Sequence, residues 1–176
     1  MRGASRLAAI DVSTPAMAWA LPNLPSAETV LVRLLRLNLA SISEVLDGEF
    51  RKVGLTELTF QVLCLLMASK DGQATPSDLS DLVGTSRANM TRIIASIVDE
   101  GYAMREVEAN DARRSNISIT PLGRKVTENA ADYLAEPIRR IFAGLSEKEF
   151  TQLEALLRKC VLSVSDNSYP FGPSGK

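Results

Sequence analysis

Apolar residues recur at steps of three and four over most of this chain, which is the spacing of a buried helix face. From Ser26 the pattern runs through Val30, Leu34 and Leu46, and it predicts a helix that ends near Gly54. The first turns of this helix are apolar almost all round, as expected when two faces are buried. A single domain of this size rarely buries both faces of an outer helix, so the pattern indicates a partner subunit.

Helix-capping residues predict three more helices in the middle of the chain. Thr56 is a candidate N-cap for the second helix. Thr75-Pro76 opens a short third helix, because proline is favoured in the first helical turn, and Gly84 ends it. The fourth helix follows directly, with Thr85 or Ser86 as its N-cap. Two capped helices separated by a short turn are typical of a helix-turn-helix.

The pattern then changes from a helical to an alternating one. Residues Ala103–Glu108 and Ser115–Thr120 read as strands, and the turn-like stretch 109–112 between them predicts a hairpin. A threonine–proline pair next opens a long helix to about Gly144, which Pro137 should kink.

The last helix begins at a capping box, Ser146–Glu149, and carries a long apolar stripe. The predicted fold is therefore mostly α: a winged helix-turn-helix with a β-hairpin wing, and flanking helices that form a dimerisation domain. The predicted ranges are an N-terminal arm with room for a short helix (1–25), a helical dimerisation region (26–54 and 121–164), a winged helix-turn-helix DNA-binding lobe (55–120) and a flexible tail (165–176).

Composition limits the function classes. The chain has no histidine, which removes the commonest general base and metal ligand. It also has no paired-cysteine metal motif and no glycine-rich phosphate loop, so neither an enzyme nor a cofactor is predicted. No apolar run spans a bilayer, and a cytoplasmic protein is expected. Cys64 and Cys160 both lie among apolar residues, which favours buried structural cysteines over redox sensors.

The start of the fourth helix carries the residue types that read DNA. In a helix-turn-helix, small or hydrogen-bonding side chains in this turn face the base edges of the major groove. Arginine pairs with guanine and asparagine with adenine, while threonine and arginine deeper in the helix suit phosphates. The candidates are Ser86, Arg87, Ala88, Asn89, Thr91 and Arg92. The alternative interpretation is a solvated face of an ordinary helix. It is less favoured because a predicted hairpin follows this helix.

The hairpin tip carries Asp111, Arg113 and Arg114. An arginine at the tip of a wing can enter the minor groove, where the potential is most negative. A carboxylate two residues earlier can hold that guanidinium in place. Taken alone, these residues fit a turn with solvated arginines better than a DNA contact.

Together these residues resemble the MarR family of transcriptional regulators over about residues 26–164. The resemblance rests on Ser86–Arg92, Asp99–Tyr102, Arg105, Asp111–Arg113, Ile117–Thr120 and Gly123. It implies a homodimer held by the first and last two helices, a pseudo-palindromic operator, an Asp111–Arg113 salt bridge and minor-groove contact by Arg113. Ala112 stands where many members have arginine, so one basic contact is missing.

The resemblance also implies a small phenolic or aromatic carboxylate effector, which relieves repression. Candidate lining residues are Trp19, Arg33, Asn38 and Gln61. Asn38 and Gln61 are amides on apolar helix faces, and a satisfied core amide is the favoured explanation of each. Trp19 resembles the tryptophan of the urate-responsive branch, but Gln61 and Ile93 stand where that branch has a carboxylate and an arginine, which argues against urate.

A winged-helix module that binds protein, without DNA or an effector, is the alternative function. Such a surface favours aromatic residues and leucine, whereas this chain offers Arg87, Asn89 and Arg113. The residues therefore favour a DNA-binding regulator that represses transcription.

Overall fold

The computed structural model describes the backbone of residues 2–108 and 111–166, and the side chains of residues 3–106 and 115–164. Its helices are α1 (Arg2–Ala20), α2 (Ser26–Lys52), α3 (Glu57–Ala68), α4 (Pro76–Val83), α5 (Arg87–Asp99), α6 (Pro121–Ile141) and α7 (Glu147–Asp166). Its strands are β1 (Gln73–Ala74), β2 (Ala103–Glu108) and β3 (Asp111–Ile119). The three strands form one antiparallel sheet in the order β1-β3-β2. The fold is mostly α with a small winged sheet, as predicted.

The chain divides into two compact units, Met1–Pro137 and Ile138–Lys176. The core of the first unit lies between the helix-turn-helix and the sheet. Its fully buried large side chains are Val62, Leu63, Leu66, Leu79, Met90, Ile97, Ile117 and Leu134. Side chains from α3, α4, α5 and β3 are buried together in this core. Their burial fixes the position of α5, the recognition helix of the helix-turn-helix, against the wing.

The N-terminal arm of residues 1–25 is the largest departure from the prediction, because it contains a 19-residue helix, α1, with Pro15 inside it. Proline removes one helical hydrogen bond, but packing against α2 compensates. Ile10 is buried, and Arg33 of α2 donates to Ser13 Oγ at 2.7 Å. Arg6 and Glu44 add an ion pair at 3.7 Å. Contacts with α2 therefore stabilise a helix that its one internal proline, Pro15, disfavours.

The predicted caps are found at the helix starts. Thr56 Oγ1 accepts from Thr59 N, Thr75 Oγ1 accepts from Asp78 N, and Ser86 Oγ accepts from Asn89 N. Of the two candidates for the fourth helix, Ser86 is the cap. Each such cap satisfies a helix N–H group that has no partner within the helix.

Strand β3 begins earlier than expected. The turn was predicted at 109–112, but Asp111 already pairs with Glu108 across a register shift at Val107/Glu108. The irregular pairing extends the hairpin by four residues before Ser115, which alternation of apolar residues alone does not reveal.

Helices α2 and α6 are linked through Glu49. The hydroxyl of Tyr133 donates to Glu49 Oε2 at 2.7 Å, and Lys52 Nζ donates to Glu49 Oε1 at 2.8 Å. The proline of α6, Pro137, lies inside the helix and does not end it.

The second unit contains α7, whose capping box forms as predicted. Glu149 Oε2 accepts from Ser146 N at 2.8 Å and from Ser146 Oγ at 2.6 Å. Phe142 and Phe150 pack edge to face, with ring centroids 5.6 Å apart. None of the helices in the described part of the chain combines the length and the apolar character that a membrane span requires.

Candidate nucleic-acid interface

Helices α4 and α5 form a helix-turn-helix around Gly84. This glycine has a φ of 72°, in the left-handed region where glycine carries no steric cost. The N–H groups of Gly84 and Thr85 both donate to the carbonyl oxygen of Ser80, at 3.0 and 3.1 Å. The turn is therefore closed by backbone hydrogen bonds, and it presents the first turn of α5 to solvent.

Helix α5 has one buried and one exposed face. Met90, Ile93, Ile94 and Ile97 are buried in the core. The exposed side chains in the first two turns are those of Ser86, Arg87, Ala88, Thr91 and Arg92. The structure thus places five of the six predicted base- and phosphate-reading residues of the helix on its exposed side.

Asn89, the sixth, is half-buried and held by a neighbour. Its Nδ2 donates to Thr85 Oγ1 at 2.9 Å. No role beyond capping was predicted for Thr85, although its spacing of four residues from Asn89 is the spacing of side chains that meet on a helix. The hydroxyl of Thr91 is also engaged, because it donates to the carbonyl oxygen of Arg87 at 2.9 Å. Thr91 must rotate this hydroxyl to donate to a phosphate.

The wing extends from the recognition helix as the β2–β3 hairpin. At its base Arg105 Nη2 donates to Ser115 Oγ at 3.1 Å, which ties the two strands by side chains as well as by the backbone. Asp111, Arg113 and Arg114 lie on β3, but their side chains fall outside the described residues. The predicted Asp111–Arg113 salt bridge falls there too.

Thr120 joins the wing to α6. Its hydroxyl lies 2.7 Å from the carbonyl oxygen of Gly101 and 3.1 Å from that of Tyr102, and it accepts from Gly123 N at 3.0 Å. One side chain therefore connects the segment before β2 with the first turn of α6. This contact explains why the threonine and the glycine of the wing motif are spaced by three residues.

The four predicted effector residues are not hydrogen-bonded to one another among the described residues. Trp19 is 88% exposed near the end of α1. Arg33 donates to the hydroxyls of Ser13 and Thr14. Asn38 Nδ2 donates to the carbonyl oxygen of Leu34 within α2, and Gln61 Nε2 donates to Glu57 Oε1 within α3. Both amides therefore have hydrogen-bond partners on their own helices. They lie at exposed or half-buried positions, however, and not in the core.

The expectation of two buried cysteines was wrong for Cys160. Cys64 is half-buried in α3, and burial raises the pKa of its thiol above the ordinary value. Cys160 is exposed on α7 in the single chain. It lies on the apolar stripe of that helix, which the described residues of the second unit leave exposed.

Sequence comparison places this winged domain in a known group of proteins. The sequence profile described as "MarR family" matches residues 53–114, which include α3, α4, α5, β2 and the start of β3. Over these residues the chain is similar to the MarR family. Among curated proteins, the transcriptional repressor MprA of Escherichia coli strain K12 is 27% identical over 135 residues, which cover 77% of each chain.

Solved structures share the fold. Sco3205 of Streptomyces coelicolor, a MarR family regulator in complex with DNA, has a TM-score of 0.75 at 17% identity and covers 85% of this chain and 94% of its own. BpsR of Bordetella bronchiseptica, whose DNA binding is regulated by 6-hydroxynicotinic acid, has a TM-score of 0.69 at 22% identity. That match covers 74% of this chain and 98% of BpsR.

Proposed function

We propose that this chain is a regulator of the MarR family, which binds DNA sequence-specifically and represses transcription as a homodimer on a pseudo-palindromic operator. The observation that carries the proposal is the exposed face of α5, where Arg87 and Arg92 flank Ala88 and Thr91 beside the wing. A face of small side chains between two arginines fits the major groove, because the small residues allow close approach to base edges.

Exposed apolar side chains support the homodimer. On α2 they are Leu31, Val32, Leu35, Leu39 and Val45. On α7 they are Phe150, Leu153, Leu156, Leu157, Val161, Leu162 and Val164. Apolar surface of this extent is uncommon on a monomer and is typical of an interface. A second copy that covers both faces presents two recognition helices about one DNA turn, ~34 Å, apart.

We further propose that a small aromatic acid relieves repression. The dependence of BpsR on 6-hydroxynicotinic acid supports this class of effector. Trp19, Arg33, Asn38 and Gln61 are the proposed lining residues. Trp19 is the only tryptophan of the chain, so its fluorescence reports binding near it. A compound of this class should quench Trp19 fluorescence and release operator DNA together. If hydroxylated benzoates and pyridine carboxylates do neither at millimolar concentration, the proposal of an aromatic acid effector is contradicted.

The experiment that tests DNA binding is a salt titration with two duplexes. One carries the intergenic region next to the gene, and the other has the same length and a scrambled sequence. Affinity for both should fall as salt increases, because arginine contacts release phosphate counterions. The intergenic duplex should remain the tighter by a factor on the order of 10³ or more. Equal, weak and salt-independent binding of both duplexes instead favours the protein-interaction module.

A further inference from the structure

The recognition helix and the wing lie between two long helices in the chain. The segment that carries them, residues 53–120, begins where α2 ends at Lys52 and ends where α6 begins at Pro121. We call it the winged segment. Its core side chains are fully buried, and a closely packed core is displaced as one body. The position of the recognition helix therefore depends on how the end of α2 and the first half of α6 lie relative to each other.

A hydrogen bond joins these two helices. Glu49, in the last turn of α2, accepts from the hydroxyl of Tyr133 on α6, with 2.7 Å between the phenolic oxygen and Oε2. Its other oxygen, Oε1, accepts from Lys52 Nζ at 2.8 Å. Lys52 therefore holds the carboxylate in the orientation in which it meets Tyr133. A hydrogen bond to a carboxylate is shorter and stronger than one between neutral groups.

Apolar packing beside this hydrogen bond stabilises the fold without fixing a register. Phe50, next to Glu49, is buried, and its ring packs against Phe60 of α3 with centroids 5.6 Å apart. Leu134, next to Tyr133, is fully buried. Apolar contacts are non-directional, and helices that pack through them can slide by small amounts. The hydrogen bond between Tyr133 and Glu49 has one length and one direction, so it selects one position of α6 against α2.

In the proposed homodimer, that position sets the distance between the two recognition helices. Both helices must enter the major groove together, about one DNA turn, ~34 Å, apart. A two-fold axis applies every displacement to both subunits. One base pair adds about 3.4 Å, so a shift of roughly 1.7 Å in each subunit matches half-sites that are one base pair further apart or closer. A slide of that size between α2 and α6 breaks a hydrogen bond of 2.7 Å.

We propose that the hydrogen bond between Tyr133 and Glu49 is a specificity determinant, which sets the half-site separation that the homodimer accepts on DNA. The inference rests on the proposed function, and it adds a pair of residues that select DNA without touching it. Bases are read by the recognition helix, whereas the distance between the two half-sites is read through the contact between α2 and α6.

Three duplexes and one isosteric variant test this role. The first duplex carries the operator of the intergenic region, and the other two have one base pair added or removed at its centre of symmetry. The wild-type protein should prefer the first duplex. Tyr133→Phe removes only the hydroxyl, and it should reduce that preference by about three- to tenfold, the factor that corresponds to a hydrogen bond. The reduction should come from tighter binding of the two altered duplexes, while operator affinity changes little.

Tyr102→Phe is the matched control. Tyr102 also hydrogen-bonds a glutamate side chain, that of Glu100, but both residues lie within the winged segment. This variant should keep the wild-type preference. Glu49→Ala should reproduce the effect of Tyr133→Phe, and the double variant should show no further reduction, because both changes remove the same contact. Fluorescence anisotropy at one fixed salt concentration measures all affinities.

The outcomes separate the inference from the proposed function. Operator binding by Tyr133→Phe with the full wild-type preference overturns the inference and leaves DNA binding intact. Equal weakening on all three duplexes also overturns it, because a purely structural role has that effect. A further reduction in the double variant shows that the two side chains act separately, which contradicts the pairing. If the wild-type protein binds the intergenic duplex no better than a scrambled one, the proposed function itself is contradicted.

Discussion

The carbonyl group of Tyr102 occupies the space in which a Cβ at position 123 would lie, and the carbonyl carbon is 2.8 Å from that position. Backbone on one side and Ile119 on the other leave no room for a methyl group. Gly123 is therefore required by close approach, in the first turn of α6, rather than by its backbone angles.

Gly123→Ala should destabilise the fold by about 1–3 kcal/mol, the usual cost of overpacking a tight site. The matched control is Gly48→Ala in α2, where only the far end of Arg51 approaches a Cβ, at 4.0 Å. That change should stabilise the fold by about 0.5–1 kcal/mol, because alanine loses less conformational entropy in a helix. Urea unfolding measures both, and changes of the same sign contradict the packing assignment.

Arg113→Ala tests the wing. Operator binding should weaken by about 1–3 kcal/mol, as for loss of an arginine contact in a groove, while the free energy of unfolding should stay unchanged. Lys148→Ala, an exposed residue in the first turn of α7, removes the same charge and should leave operator affinity unaltered. Fluorescence anisotropy at one fixed salt concentration measures both variants. Wild-type affinity for Arg113→Ala removes the wing from the mechanism.

Thr85 and Asn89 should act as one unit in reading bases, because the Asn89 amide is held by the Thr85 hydroxyl. Asn89→Ala should lower discrimination between operator and random DNA by about 1–3 kcal/mol. Thr85→Val should lower it less, and the double variant should resemble Asn89→Ala alone. Additive losses in this double-mutant cycle show that Thr85 does not position Asn89. Arg92→Ala is the contrasting variant, since a phosphate contact should weaken both duplexes alike.

Cys160 reports on the homodimer. Its thiol is exposed in the single chain, so a partner that covers the stripe on α7 should protect it. Alkylation of Cys160, followed by mass spectrometry, should be slow at micromolar concentration and should accelerate on dilution below the dissociation constant. Cys64 is the internal control, since its position in α3 should give a slow rate at every concentration. A fast, concentration-independent rate at Cys160 contradicts an interface through this face.

The capping box of α7 predicts a pH effect. Hydrogen bonds from Ser146 hold the pKa of Glu149 below the usual glutamate value of 4.5. A lowered pKa means that the stabilisation is present above the ordinary pKa and is lost as pH falls through the lowered one. Ser146→Ala should return the Glu149 pKa towards 4.5. Carboxyl ¹³C NMR over a pH titration measures that pKa. Ser163→Ala, whose hydroxyl donates to the Lys159 carbonyl oxygen in the same helix, should leave it unchanged.

The helix-turn-helix and its caps could be predicted from the sequence because their determinants are local. Each capping side chain accepts from the N–H group three residues further along the chain, so spacing alone is informative. The caps are Thr56, Thr75, Ser86 and Ser146. Helix α1 could not be predicted, since it depends on contacts from Arg33 and Glu44, which lie far along the sequence. Local propensity and tertiary packing disagree there, and packing decides the outcome.

The exposed face of α5, the candidate DNA interface, was predicted in part for the same reason. The periodicity of α5 assigns the exposed face correctly. It does not show that Asn89 already donates a hydrogen bond to Thr85, or that Thr91 donates one to the carbonyl oxygen of Arg87. Side-chain hydrogen bonds depend on which residues meet in the folded chain, whereas periodicity describes each helix alone.

The hydroxyl of Thr120 has a mechanical consequence. It connects the segment that leads into β2 with the first turn of α6, and Gly123 presses that turn against Tyr102. These contacts couple the base of the hairpin to the start of α6. A ligand or a partner subunit that moves the first turn of α6 should therefore also move the base of the wing.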